Sequence, residues 1–152
     1  MNIAKRLEQY NEDNVYFCEP IKNNIMTDSN FIRILYSNEI ITLSGIYLII
    51  NINDLFCEKY YNKYKCIFNP NNHTELIENI RKIEETLLCK VELQNKIPQY
   101  KIYEQLKNGM IKIFNEIIAK PNNNFLLKIS GIWESQYSFG LTYKFISVKN
   151  IE

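Results

Sequence analysis

The stretch that most constrains the fold runs from Phe125 to Val148, FLLKISGIWESQYSFGLTYKFISV. Two apolar runs, Phe125 to Trp133 and Phe139 to Val148, alternate with a period close to two and flank a short polar turn, which is typical of a β-hairpin. Both faces of the arms carry large apolar or aromatic side chains as well as a lysine. We therefore expect one face to be buried in a core and the other to be available for binding.

Periodicity elsewhere in the chain predicts more strands and at least one helix. Strands are expected over residues 15–18, 31–36, 40–51, 64–68 and 110–114. For the last of these, a helix is the alternative, because Ile113, Phe114, Ile117 and Ile118 also fit one helical face. The clearest helix follows Pro70, because apolar residues recur at helical spacing from Leu76 to Val91, and Asn72 with Glu75 resembles a capping pair. Residues 2–12 are expected to form a short amphipathic helix and residues 97–108 a short helix or strand.

This order of elements predicts a mainly β fold with helices, of the α+β class. Two strands, a third strand, an amphipathic helix and further strands match the OB-fold, a five-stranded Greek-key barrel with a helix between strands 3 and 4. The 152 residues are expected to form one domain. Within it, residues 1–14 would be an N-terminal helix or arm and residues 15–150 a barrel-like core.

Composition and charge point only weakly to a function. The abundant asparagines, lysines and 11 tyrosines have AT-rich codons and are discounted for that reason, and a net charge of +1 is no evidence for a nucleic-acid partner. The distribution of charge is more informative. Residues 96–150 contain eight lysines and three glutamates, so the basic excess falls on the segment of the hairpin.

No enzyme signature is present in the sequence. It lacks the phosphate-binding glycine loops and the HExxH metal motif, and His73 is its one histidine. Cys18, Cys57, Cys66 and Cys89 form no CxxC pair, so we expect reduced thiols rather than a zinc site. We therefore expect a protein that is not an enzyme and that holds no metal and no cofactor.

The location of the protein is predicted from the absence of targeting signals. The first residues lack the continuous apolar run of a secretory signal, and no stretch has the roughly 18 apolar residues of a membrane span. We expect an intracellular protein without a membrane partner.

Lysines and tyrosines interleave in residues 57–68, CEKYYNKYKCIF, a mixture that could place ammonium groups on phosphates and rings on bases. The alternative is a solvated loop that enters a strand at Tyr64. Including the hairpin, the candidate stacking residues are Tyr60, Tyr61, Tyr103, Trp133 and Tyr137, and the candidate phosphate contacts are Lys59, Lys63, Lys101, Lys112, Lys128 and Lys144. For Trp133, a place in the core is an equally good interpretation.

The hairpin also carries a family resemblance, over residues 128–145, KISGIWESQYSFGLTYKF, together with residues 31–50. The pattern resembles the single-stranded DNA-binding proteins of large eukaryotic DNA viruses and their phage T7-type relatives. Its matching positions are Gly131, Ile132, Trp133, Gly140, Leu141, Tyr143 and Lys144. The resemblance implies an OB-fold, no cofactor, and a role in viral DNA replication, recombination or repair. The phage-type proteins finish with an acidic tail, whereas this sequence ends KNIE, so recruitment of partners through such a tail is not expected.

The sequence thus favours sequence-tolerant binding of single-stranded nucleic acid, DNA in the first place, although its residues do not distinguish DNA from RNA. A homo-oligomer is compatible with this function, and a viral protein of this kind would work in the host cytoplasm or nucleus. The alternative is a viral structural or host-interaction module that binds protein and has no affinity for nucleic acid. Near-zero net charge favours that alternative.

Overall fold

The computed structural model describes residues 4–22, 29–113 and 124–147. The structure is mainly β, with 48% strand, and it has two α-helices in the described part, which confirms the expected α+β class. The strands are β1 Lys5–Arg6, β2 Val15–Phe17, β3 Ile21–Lys22, β4 Asn30–Ser37, β5 Thr42–Leu43, β6 Ile46–Asn51, β7 Phe56–Tyr60, β8 Lys63–Ile67, β9 Ile97–Gln99, β10 Met110–Ile113, β11 Asn124–Glu134 and β12 Ser138–Ser147. The α-helices are α1 Thr74–Lys90 and α2 Lys101–Lys107, and single 3₁₀ turns cover Leu7–Gln9, Glu12–Asn14 and Pro70–Asn72.

The strands form one mixed sheet whose main path has the order β1-β6-β11-β12-β10-β8-β7. The long strand β11 is antiparallel to β12, and on its other edge it pairs first with β6 and then, beyond an irregularity near Ser130, with β4. Strand β4 in turn carries β2, β3 and β5. Strand β10 is parallel to β12 and antiparallel to β8. The sheet is open, and a closed five-stranded barrel is not confirmed.

The predicted hairpin is confirmed as β11 and β12, with Val148 outside the described residues. Its alternating residues Phe125, Leu127 and Ile129 are buried and face the core. The helices cover this same face, which we call the inner face. Their buried residues join one core cluster with those of the sheet, and they are Ile77, Ile80, Ile83, Leu87 and Leu88 of α1 and Ile102 and Leu106 of α2.

Two predictions about helices and their ends were wrong. Residues 4–14 do not form an amphipathic helix: Lys5–Arg6 is a strand parallel to β6, and two 3₁₀ turns follow it. Local side-chain bonds favour those short turns, because the Gln9 side chain accepts from the Arg6 backbone and the Asn11 side chain from that of Asp13. Asn72 does not cap α1, since its side chain donates to Asp54 instead.

The cysteines also differ from expectation. Cys57 of β7 and Cys66 of β8 are directly opposite each other, with Cα atoms 4.0 Å apart, and their sulfurs are joined in a disulfide. Cys18 and Cys89 are free. The sequence could not show this pairing, because residues 57–60 do not read as a strand and nine residues separate the two cysteines. In the described part of the chain, no helix is long and apolar enough to cross a membrane.

Candidate nucleic-acid interface

The candidate site lies on the outer face of the sheet, which is the face opposite the helices. Side chains alternate between the two faces of a strand, and residues directly paired on neighbouring strands share a face. Leu126, Lys128 and Lys144 therefore point away from the buried residues Leu127 and Phe145. Strand pairing assigns the residues of the neighbouring strands in the same way. The irregularity near Ser130 reverses the alternation along β11, so Trp133, which is paired with Gly140 of β12, lies on the same face as Lys144.

Four lysines line up across the outer face. Lys128 of β11 is paired with Lys144 of β12. Ile113 is paired with Phe145 in the parallel ladder of β10 and β12, so the preceding residues, Lys112 and Lys144, are neighbours too. Lys112 is in turn paired with Lys65 of β8. We call Lys128, Lys144, Lys112 and Lys65 the lysine row, and adjacent strands space its members about 4.8 Å apart.

The electrostatics of the lysine row favour an anionic ligand. Lys65 and Lys144 are exposed, whereas Lys112 and Lys128 are partly buried. On the described residues of β6, β11, β12, β10, β8 and β7, the outer face carries one carboxylate, that of Glu58. Glu58 is paired with Lys65 at the end of the row. Neighbouring ammonium groups repel one another in the absence of a counter-ion, so a row of phosphates would relieve this repulsion.

Two aromatic rings lie on the same face as the row, on strands β4 and β11. Phe31 and Trp133 are directly paired, and the ring of each lies against a glycine of a neighbouring strand. A Cβ atom at Gly140 would lie 2.8 and 2.9 Å from ring atoms Cζ2 and Cε2 of Trp133, and one at Gly131 would lie 2.6 Å from Cζ of Phe31. We call Phe31 and Trp133 the aromatic platform. Along β12, it lies about 13 Å from the lysine row, the length of four residues.

Three lysine ammonium groups lie near aromatic rings on this side of the sheet. Lys101 Nζ lies 5.1 Å from the centroid of Trp133, Lys128 Nζ 5.5 Å from Tyr47, and a third lysine, Lys63, 6.0 Å from Tyr60. Such cation–π contacts hold the ammonium groups close to the rings. A lysine could therefore bind a phosphate next to a ring that stacks on a base.

The turn between β7 and β8 extends this surface. Tyr60 is paired with Lys63 on the outer face, and the ring of Tyr61 meets that of Tyr60 edge to face at 4.7 Å. Tyr61 is 82% exposed and has a positive φ of 57°. We call Tyr60, Tyr61 and Lys63 the tyrosine tip.

Three of the candidate residues predicted from the sequence do not join this surface. Lys59 alternates with the outward residues of β7 and is paired with Tyr64, which packs against the core. Tyr103 lies on α2, on the helix side, where Arg81 and Lys107 approach its ring to 5.9 and 6.0 Å. Tyr137 is exposed in the turn between β11 and β12.

The structure brings the other candidates together and adds residues that the sequence analysis missed. The candidates that lie on the outer face or at its border are Tyr60, Tyr61, Lys63, Lys101, Lys112, Lys128, Trp133 and Lys144. The additional residues are Phe31, Arg33, Tyr47 and Lys65. Alternation along residues 31–37 and 46–51 could have identified the first three, but only strand pairing shows which of them are neighbours.

A buried carboxylate lies on the opposite side of the sheet. Glu84 of α1 accepts hydrogen bonds from the backbone N–H groups of Ile102 and Tyr103, at 3.1 and 2.9 Å, at the start of α2. Burial raises the pKa of Glu84 to about 7, although these hydrogen bonds favour the ionised form. Burial also raises the pKa of Tyr143 to about 12, and the nearby carboxylates of Glu84 and Glu104 add to the shift. Glu84 joins α1 to the start of α2, and both Glu84 and Tyr143 lie on the helix side of the sheet, apart from the outer face.

A histidine and an aspartate form the second polar cluster. His73 Nε2 lies 2.6 Å from Asp54 Oδ1, and Asp54 Oδ2 accepts from the backbone of Asn69 and the side chain of Asn72. The hydrogen bond with His73 is the main cause that lowers the pKa of Asp54 to about 2. Local sequence patterns do not show that Asp54 is the partner of His73, because 19 residues separate the two. This cluster joins the loop after β6 to the start of α1, which is a structural role.

Among the residues that the structure describes, no group of three or more His, Cys, Asp or Glu side chains could hold a metal ion. No protein-family model, no curated protein and no solved structure shows significant similarity to this chain.

Proposed function

We propose that this protein binds single-stranded nucleic acid, DNA in the first place, with little regard to sequence, in support of viral genome replication, recombination or repair. The observation that carries the proposal is that the lysine row and the aromatic platform share one open sheet face. Lysines neutralise phosphates of any sequence, and aromatic rings stack on any base. The protein would act without a metal or cofactor, since binding of this kind needs neither.

A preference for single strands follows from the two parts of the site. The platform rings, Phe31 and Trp133, can stack only on bases that are not paired within a duplex. The lysine row contacts phosphates and by itself would bind both forms. The platform should therefore provide the discrimination and the row most of the affinity.

An OB-like architecture is the finer fold that we propose. Strands β4, β6, β8, β11 and β12 would correspond to the barrel strands, and α1 follows the third of them, as the helix of an OB-fold does. The change of partner along β11, from β6 to β4, is the kind of irregularity that bends a sheet. In OB-folds, a strand face of the barrel binds oligonucleotides, which agrees with the placement of the candidate site.

Fluorescence anisotropy with labelled single-stranded and duplex oligonucleotides of equal length tests the proposal. We expect a clear preference for the single strand. With four phosphate contacts, the logarithm of the affinity should fall with the logarithm of salt concentration at a slope of about −3, or roughly 50-fold between about 50 and 200 mM salt. No binding at low salt, or equal binding of duplex and single strand, would refute it.

One observation favours a second candidate function, the binding of another protein. Phe56 and Ile67 are paired on the outer face at the β7 edge and are 63% and 46% exposed. Large exposed apolar groups at a sheet edge are typical of protein contacts. Light scattering after size-exclusion chromatography separates the two functions. A tight oligomer without affinity for any oligonucleotide would favour this second candidate.

A further inference from the structure

The tyrosine tip is held by a strand that has few other attachments. Strand β7 ends the main path of the sheet, and β8 is its one partner in the described ladder. Four of its five residues are exposed, and Cys57 is the partly buried one. An edge strand of this kind depends on its backbone hydrogen bonds and on whatever else fastens it to the sheet.

The Cys57–Cys66 disulfide attaches β7 to the sheet in addition to the backbone hydrogen bonds. Cys57 packs against the core cluster, and Cys66 is fully buried within it. The bond joins positions directly opposite each other, so it fixes the register of β7 against β8. The turn that carries the tyrosine tip begins at Tyr61, four residues after Cys57, and the register therefore also sets the position of the tip.

We infer that the Cys57–Cys66 disulfide is a thiol-reversible clamp that holds β7 on the sheet and so controls the binding strength of the outer face. The inference rests on the proposed function. Opening requires an external dithiol. Its thiolate attacks the sulfur of Cys57, the less buried of the two residues, and Cys66 leaves as a thiolate that takes up a proton. The second thiol of the dithiol then displaces Cys57, which leaves two protein thiols and an oxidised, disulfide-bonded reductant.

Opening the clamp should loosen the edge without unfolding the sheet. The core strands β11 and β12 have no bond to either cysteine and keep their pairing. Strand β7 retains its ladder with β8 and the core packing of Cys57 but loses its covalent attachment, so its amides should exchange faster with solvent. Tyr60 and Tyr61 would then lose their fixed position, and binding of a single strand should weaken by about fivefold or more, the effect of losing one base–aromatic contact.

Three measurements on the full chain, with and without dithiothreitol, test the clamp. Alkylation under denaturing conditions should label only the free cysteines, Cys18 and Cys89, before reduction, and all four cysteines after it. Hydrogen exchange should accelerate about tenfold or more in β7 and remain unchanged in β11. Anisotropy should show the weaker binding, with recovery after reoxidation by oxidised glutathione.

Two double variants provide the controls. Cys18→Ser with Cys89→Ser should respond to dithiothreitol as the unmodified chain does. Cys57→Ser with Cys66→Ser should bind like the reduced protein and show no response. Labelling of all four cysteines before reduction, or unchanged exchange of β7 on reduction, would overturn the clamp. Absence of single-strand binding in both redox states would overturn the proposed function and the control of binding, whereas the exchange result would still decide whether the clamp exists.

Discussion

The indole ring of Trp133 lies directly on Gly140 of the neighbouring strand, where a side chain would collide with it. The absence of a side chain at Gly140 thus leaves room for the ring, which is partly buried on the outer face. This arrangement decides between the two interpretations of Trp133 that the sequence left open, because the residue belongs to the surface of the sheet and not to its buried core.

A methyl group at position 140 should displace the ring of Trp133. In Gly140→Ala, the added Cβ would meet two ring atoms of Trp133 and the backbone oxygen of Gln99 at 3.0 Å or less. We expect a loss of about 1–3 kcal/mol in the free energy of unfolding, as for other overpacked sites, and weaker single-strand binding. Urea denaturation measures the loss of stability. The fluorescence of Trp133, the one tryptophan of the chain, reports the displacement of the ring, with emission shifted to longer wavelength.

Gln136→Ala in the exposed turn between β11 and β12 is the control for this variant and should leave stability and emission unchanged. A Gly140→Ala protein with the stability and the emission spectrum of the unmodified chain would show that the ring does not rest on this glycine.

Glu84 should make the stability of the protein depend on pH in the neutral range. Its pKa is raised from 4.5 to about 7 in the folded chain, so the folded state binds the proton more tightly than the unfolded state does. This contribution is fully present below pH 4.5 and is lost as the pH rises through 7. Its upper limit is about 3 kcal/mol, from 1.36 kcal/mol per pKa unit.

The variant Glu84→Gln should remove that pH dependence. Its melting temperature should change less than that of the unmodified chain between about pH 4.5 and pH 7.5, the interval over which the shifted carboxyl titrates. Glu75→Gln, at an exposed position of the same helix, is the matched control and should retain the dependence. Parallel curves for all three proteins would contradict the assignment of the raised pKa to Glu84.

Asp54 should act in the opposite direction. Its pKa is lowered from 3.8 to about 2, mainly by the hydrogen bond with His73, so its contribution to stability is present above pH 3.8 and is lost as the pH falls through 2. Asp54→Asn should therefore lower the melting temperature at neutral pH, and the difference should shrink between pH 4 and pH 2. Asp13→Asn, an exposed position with the same change of charge, should lower it little. Equal effects of the two variants would show that the cluster around Asp54 does not stabilise the fold.

Local patterns in the sequence predicted those elements whose contacting residues lie close together along the chain. The hairpin of β11 and β12 follows from alternation, and α1 follows from an apolar stripe at helical spacing, of which Ile80, Ile83 and Leu87 are buried. Strand β7 was missed because its residues, Lys59 and Tyr60 among them, show no apolar alternation at an exposed edge. Edge strands bury little, so they leave little pattern in a sequence.

The candidate site depended on pairings that no local pattern shows. Lys112 and Lys144 become neighbours through the parallel ladder of β10 and β12, although they lie far apart in the chain. Lys65 joins them through a second long-range ladder. The charge distribution indicated a basic segment. The strand order shows that three of its lysines form a row with Lys65, which lies outside the segment, and α2 places Tyr103 on the helix side of the sheet.

The central claim, that the lysine row binds the phosphates of a single strand, is tested most directly by comparing two doubly neutralised variants in an anisotropy salt series. Lys112→Gln with Lys144→Gln removes two members of the row, and Lys82→Gln with Lys107→Gln removes two exposed charges from the helices. We predict that the row variant binds more weakly and loses about 1.4 from its salt slope, at about 0.7 per phosphate contact, whereas the helix variant keeps the slope of the unmodified chain. Equal losses in the two variants would mean that the row is not the binding site.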